Sequence, residues 1–237
     1  RRIQVLEQMA QAIYTEWFVN FRFPNYEKVD MINSGTDLGK IPEGWEIRTV
    51  EETFQFLGGG TPSKKNPSYW INGKINWFTP SDLTKISSVF ITDSSGKITD
   101  EGLSNSSAKL FPAYSVMMTS RATLGVISVN TVPASTNQGF IVCIPHENYP
   151  LWLLYFWLKQ NEEQFSRLAT GATFKEITKG VFRAISLIVP VKETVAEFQQ
   201  AVDLVMRQVL NLQLQNENLR HTRDLLLPKL VTGKIRV

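Results

Sequence analysis

"FQQAVDLVMRQVLNLQLQNENLRHTRDLLLPKL", residues 198 to 230, is the most regular stretch of the chain, and the architecture is read outward from it. Phe198, Val202, Val205, Val209, Leu212, Asn216, Leu219, Arg223, Leu226 and Leu230 step by four and three without a break, the spacing that lines one side of a helix and seams it to another. It predicts a helix spanning roughly 50 Å from 195 to 230. A helix of that length with one apolar stripe needs a partner. Asn216 and Arg223 fall on the seam, either as polar residues that fix register or because the helix has already diverged from its partner there.

The other end of the chain offers that partner in part. Ile3, Leu6, Ala10, Ile13 and Trp17 repeat the same spacing, predicting a second helix that ends at Pro24. It is about half as long as the first, so a second chain or further sequence is expected to cover the rest. The sequence opens on Arg1 with no signal-peptide pattern, and a trimmed or partial chain is expected. "KVDMINSGTDLGKIPEGW" (28 to 45) reads as an extended linker. From Trp45 to about Pro190 the pattern turns to short β-type runs, "KINWFT", "SVMMTS", "GVISVN", "GFIVCIP" and "AISLIVP", parted by Gly, Pro, Ser and Asn clusters. Helical segments interrupt them near 151 to 166 and 174 to 180. The expected class is α+β: residues 1–24 a helix, 25–44 a linker, 45–190 a strand-rich domain, and 191–237 the long helix and tail.

Composition narrows the function. The 237 residues hold 25 Lys and Arg against 22 Asp and Glu, a net charge of +3, so any nucleic-acid surface must be a local patch. One cysteine and two histidines, Cys143, His146 and His221, are too few for a zinc site or a disulfide framework. A reducing, intracellular setting is expected. Cys143 lies in an apolar run and reads as a buried strand residue. "PLWLLYFWLKQ" (150 to 160) is about half a bilayer span and reads as a buried helix.

"GGGTPSKKN" (58 to 66) poses the question of chemistry. A P-loop has glycine before its lysine and Ser or Thr after it, whereas Ser63 precedes Lys64 and Lys65 follows. Phe56, Gly58 and Gly60 spell F-x-G-x-G, a pattern also found where methyltransferases hold their methyl donor. The proline-broken "TPSKKNPSYWING" that follows cannot open the helix a nucleotide loop needs, which argues against a catalytic methyltransferase. No catalytic triad signature is present. The remaining signals point to binding. Thr61 and Ser63 offer hydroxyls, Lys64 and Lys65 charge, and Tyr69 and Trp70 flat faces, as phosphate and sugar contacts require. "TSRATLG" (119 to 125) sets Arg121 among Ser120 and Thr123, where it could read guanine or simply be salt-bridged. Asn137 and Gln138 suit adenine edges or turn capping alike, and Thr173, Lys175 and Lys179 surround Gly171 in a further polar loop.

In order, "PEGWE" (42 to 46), "GGGTPS" (58 to 63), "INWFTPSDL" (75 to 83), "ITDEGLSNSSAKLFP" (98 to 112), "MTSRATLG" (118 to 125), "NQGF" (137 to 140), "GATFKEITKG" (171 to 180) and "LLLPKLVTGKIRV" (225 to 237) resemble the specificity subunit of type I restriction-modification systems. "LEQMAQAIYTEWFVNFRFP" (6 to 24) resembles the central helical region of such subunits. The resemblance implies a target recognition domain that reads half of a split DNA site, flanked by long helices that form an antiparallel coiled-coil spacer. It implies that this chain holds one such domain, half of a subunit, as a fragment, a natural half-length protein that dimerises, or the end of something longer. It makes Thr61, Ser63, Lys64 and Lys65 candidate DNA contacts; Tyr69, from its flat face, and Ser81 join them as candidates. It further implies modification subunits with S-adenosylmethionine and a restriction subunit with ATP as partners, no cofactor on this chain, no membrane, and a prokaryotic cytoplasm. The alternatives are a coiled-coil scaffold whose globular domain binds protein, and an orphan methyltransferase.

Overall fold

The computed structural model describes residues 1–86 and 88–232; the final residues of the tail, 233–237, lie outside them. Helix α1 (Arg2–Tyr14) runs into a π-helical turn, Thr15–Val19. Then follow β1 (Met31–Asn33), β2 (Lys40–Pro42), β3 (Glu46–Thr49), α2 (Val50–Thr53), β4 (Phe56–Gly58), β5 (Ile75–Phe78), α3 (Pro80–Ile86), β6 (Phe90–Ile91), β7 (Gly96–Ile98), α4 (Asp100–Ser104), β8 (Val116–Thr119), β9 (Ile127–Asn130), β10 (Ala134–Thr136) and β11 (Phe140–Cys143). The chain closes with α5 (Leu151–Gln160), α6 (Glu162–Leu168), α7 (Lys179–Arg183), β12 (Ser186–Val189) and α8 (Lys192–Val231). The class is α+β, as expected.

A five-stranded sheet in the order β4-β11-β8-β9-β6 forms the middle layer. Its central strands β11, β8 and β9 are buried on both faces, which is why β8 and β11 read as near-continuous apolar runs; β9 alternates apolar Ile127 and Val129 with buried Ser128 and Asn130. Val116, Met118, Ile141 and Cys143 face the helices, whereas Met117, Phe140 and Val142 face Phe78, Leu83 and Phe111 on the other side. There a three-stranded sheet, β10-β5-β7, makes the third layer. Strand β12 pairs with β3. Cys143 is fully buried, and burial pushes its thiol pKa up, away from thiolate chemistry.

Helix α5 is apolar all round because it is covered all round: Trp152 to Leu158 are buried. The predicted single helix from 151 to 166 breaks at Asn161, whose side chain donates to the Trp157 carbonyl at 2.8 Å, and resumes as α6. The predicted 174–180 helix begins only at Lys179, where the Thr178 hydroxyl accepts the Val181 N–H. Residues 28 to 45 are more than a linker: β1 and β2 form a hairpin there, with Ile41 and Trp45 buried.

Helix α1 lies antiparallel against α8. The rings of Tyr14, Trp17 and Phe18 surround Phe198, with centroids 6.1, 5.9 and 4.8 Å away, while Gln4 and Glu7 share a groove with Met206. Ala10, Tyr14 and Phe18 are the buried row, Ala10 among them as the seam predicts; the other expected seam residues Ile3, Leu6, Ile13 and Trp17 pack half-buried at its edges. The helical run ends at Val19, before Pro24, and the φ of 56° at Phe21 turns the chain so that Phe21 and Phe23 meet Trp45.

On α8, Phe198, Val202 and Val209 are buried as the seam predicts, and Val205 is half-buried beside them. A second face, Met206 and Gln213, is buried against the globular layers. The Gln213 amide both accepts from and donates to the Phe90 backbone, at 3.4 and 3.3 Å. Leu212 is half-buried. Asn216 and Leu219 are exposed, Leu219 by 66%, because α1 is too short to reach them. Leu225, Leu226, Leu227 and Leu230 are exposed as well. Truncating Phe198→Ala removes the ring on which α1 closes and is expected to lower unfolding stability by about 3–5 kcal/mol in urea titrations followed by far-UV circular dichroism.

Candidate nucleic-acid interface

Strand pairing decides which loops meet. Register sets Ile141 opposite Gly58 and Phe140 opposite Thr119, so the chain leaves β4, leaves β8 and enters β11 at one end of the five-stranded sheet. Parallel strands β5 and β10 end together, with Thr136 beside Phe78, and the Asn137 N–H donates to the Phe78 carbonyl at 3.0 Å. Loops 59–66, 120–126 and 137–139 and the segment 79–81 that opens α3 therefore gather in one place. The 170–177 loop joins them: Ala122 N–H donates to the Lys175 carbonyl and Ile177 N–H to the Ser120 carbonyl, both at 3.0 Å.

The glycine run serves this convergence. A Cβ on Gly59 would collide with the carbonyls of Thr136 and Asn137, and one on Gly60 with Ser107 and Ala108. The backbone threads between two other segments where no side chain fits. Beneath the loop, the Trp77 indole donates to the Gly60 carbonyl at 2.9 Å and the Trp70 indole to the Ser63 carbonyl at 3.1 Å. Trp70 thus supports the loop from inside.

Among the expected site residues, Ser63, Lys64, Lys65, Ser81, Thr123, Gln138, Thr173, Lys175 and Lys179 are exposed. Thr61 is half-buried, and its hydroxyl donates to Gln138 Oε1 at 2.6 Å, joining two loops. Tyr69 is half-buried, its carbonyl accepting the Thr99 N–H at 3.0 Å. Ser120 is only 3% exposed, which takes its hydroxyl off the contact surface. Asn137 accepts the Gly139 N–H at 2.9 Å, the turn-capping role of its two possibilities. Arg121 is exposed, with the Glu176 carboxylate 3.6 Å away. The Lys179 ammonium lies over Gly58, at the mouth of an open groove of about 830 Å³ that continues past Lys109, His146 and Arg183. Lys109 and Arg183 were not singled out by sequence, because neither sits in a loop of distinctive composition.

The turn after β5 is pinned by a buried carboxylate. Asp82 accepts the Thr79 N–H at 2.7 Å, the Thr79 hydroxyl at 2.8 Å and the Ser95 N–H at 3.1 Å. Burial works against its ionisation, but the hydrogen bonds from Ser95 and Thr79 outweigh burial and hold its carboxyl below the usual carboxylate range.

The family model described as "Type I restriction modification DNA specificity domain" matches residues 42–220. The chain belongs to that family. The type I restriction enzyme MjaIX specificity subunit of Methanocaldococcus jannaschii is 30% identical over 77% of this chain and 42% of its own length. The HindI specificity subunit of Haemophilus influenzae is 28% identical over 98% of this chain and 62% of its own. The chain thus spans about half the length of the curated relatives it matches. These are specificity subunits, not the catalytic subunits of such systems. The fold matches the HsdS subunit from Thermoanaerobacter tengcongensis with a TM-score of 0.56 at 19% identity, over 96% of this chain and 51% of that one. No described helix is long and apolar enough to cross a membrane.

Gly60→Ala is expected to lower stability by about 1–3 kcal/mol, because Ser107 and Ala108 cannot retreat without moving the loop; thermal melting measures it. Asp82 contributes fully above its unfolded-state pKa, about 3.9, and its contribution fades as pH falls through the lower folded value. Asp82→Asn is therefore expected to cost about 1–3 kcal/mol at pH 7 and to flatten the acid limb of a stability profile taken by urea unfolding between about pH 1 and 5.

Proposed function

We infer that the chain reads one half of a bipartite DNA site. The observation that carries this reading is the meeting of five sequence-distant segments at one end of the sheets, with Lys64, Lys65, Lys175 and Arg121 among them, Lys179 reaching from α7 over Gly58, and Glu176 paired to Arg121. Cations there would set phosphate register, and Arg121, Gln138 and Thr123, all exposed, would supply the contacts to base edges. Thr61, Tyr69, Ser120 and Asn137 hold the loops in shape. Ser81, Ser63 and Thr173 add exposed hydroxyls.

The distal half of α8 supports the second part of the reading. Its exposed leucines need a helical partner, which a second copy of this chain or another half-subunit would supply, setting two recognition domains a fixed distance apart. Modification subunits would dock on the outward helix faces and carry methyl transfer with S-adenosylmethionine; a restriction subunit would carry the ATP-driven steps. The chain itself would do no catalysis.

Selection from a randomised duplex library by the purified chain tests the reading. One enriched short asymmetric element supports a single recognition domain, and two inverted copies at fixed spacing support a helix-joined dimer. No enrichment, with affinity indifferent to ionic strength, favours a protein-binding scaffold. Lys64→Ala with Lys65→Ala is expected to weaken all duplexes alike and to reduce the slope of log affinity against log salt by about 2. Arg121→Ala is expected to relax one position of the site by about 1–3 kcal/mol; competition binding with single-base variants reads both.

A further inference from the structure

Of the 14 phenylalanines in the chain, Phe174 is the one exposed, by 59% of its surface. The others are buried or half-buried. A lone exposed ring on a floppy surface turn would mean little. This one sits on a loop whose backbone is fixed at several points.

Thr170 and Glu176 close the base of the loop with reciprocal backbone hydrogen bonds of 3.0 and 2.8 Å. Inside it, Gly171 adopts φ 130° and packs so tightly on the Phe174 carbonyl that a Cβ would collide there, a conformation and an approach open only to glycine. The next carbonyl, of Lys175, accepts the Ala122 N–H, and Ala122 itself takes the uncommon φ of 62° to give it. The loop is thus locked from within while the ring stays outside.

Its surroundings name the occupant. Thr173 and Lys175 flank the ring and are exposed, Arg121 is anchored to the neighbouring Glu176, and the loop stands at the sheet end that carries Lys64 and Lys65. Such a cationic rim matches a polyanion better than the apolar face of a protein. A phenyl ring makes no hydrogen bond to the donors and acceptors of base edges; what it offers is a flat apolar face, which finds its match between stacked bases.

We propose that Phe174 is an apolar wedge that enters a base step of the recognised half-site and partly unstacks it. The inference rests on the DNA-recognition reading and adds to it a source of specificity: flexible pyrimidine–purine steps, which part most easily, are favoured beneath the ring even where no side chain reads their edges.

The test places 2-aminopurine at successive positions of the duplex selected by the chain and follows its emission on binding. The expected result is a rise confined to one step for the parent protein. Phe174→Ala should melt at the parent temperature, bind roughly ten-fold more weakly, and give no rise at saturating protein. Lys64→Ala with Lys65→Ala should bind more weakly but keep the rise. Parent binding without a rise at any position overturns the wedge, as does Phe174→Ala binding like the parent. Weaker binding by Phe174→Ala with the rise retained also overturns it, leaving only a groove contact such as one with a thymine methyl. Failure of the parent to bind any duplex overturns the recognition reading itself, and the wedge with it.

Discussion

Enclosure of Phe198 by Tyr14, Trp17 and Phe18 holds the two ends of the chain together, and the remaining layers are arranged around that junction. Tyr14 also stacks on Phe156 of α5, so the same group of rings reaches the buried helix against which the central sheet lies. Apolar area drives this assembly, and edge-to-face geometry between rings gives it direction. Polar contacts are carried into the same layer: the Trp152 indole donates to Asp203 and the Trp152 backbone N–H to Gln199 Oε1, which joins α5 to α8.

The helices and the main strands were legible because their signals are local. Heptad spacing from Phe198 to Val209, the all-apolar Trp152–Leu158 and the runs around Val116 and Phe140 each follow from a few consecutive residues. Boundaries were less legible. The end of α1 depends on Phe21 reaching Trp45, and the break at Asn161 on one side-chain hydrogen bond, neither of which periodicity reports. The hairpin of β1 and β2 escaped because its first strand is exposed throughout and carries no alternation.

The candidate site was legible as a set of loops but not as a surface. Composition located Lys64, Arg121, Gln138 and Lys175; only a strand order that leaves sequence order, β4-β11-β8, brings them to one end. The division of labour among neighbours was hidden too. Ser120 and Arg121 are adjacent, yet one is buried and the other exposed, because Ser120 supplies backbone groups to both Gly139 and Ile177. A glycine run that suggests ligand contact proved to be packed against the chain's own backbone. Sequence shows that a backbone must approach something closely there, and not what it approaches.

Gln213 clasps the Phe90 backbone on both sides, and past that point α8 is clear of α1. Mechanically, the helix is a shaft keyed into its mount: the clasp fixes both how far it projects and its rotational setting. Each residue added beyond the key would advance the tip by about 1.5 Å and turn it by roughly 100°, so the leucine stripe would face a new direction before it had gained appreciable reach. An insertion of about seven residues, two turns, restores the bearing to within about 20°. The free end can therefore change length in such two-turn steps while keeping its aim, and in single residues only by losing it.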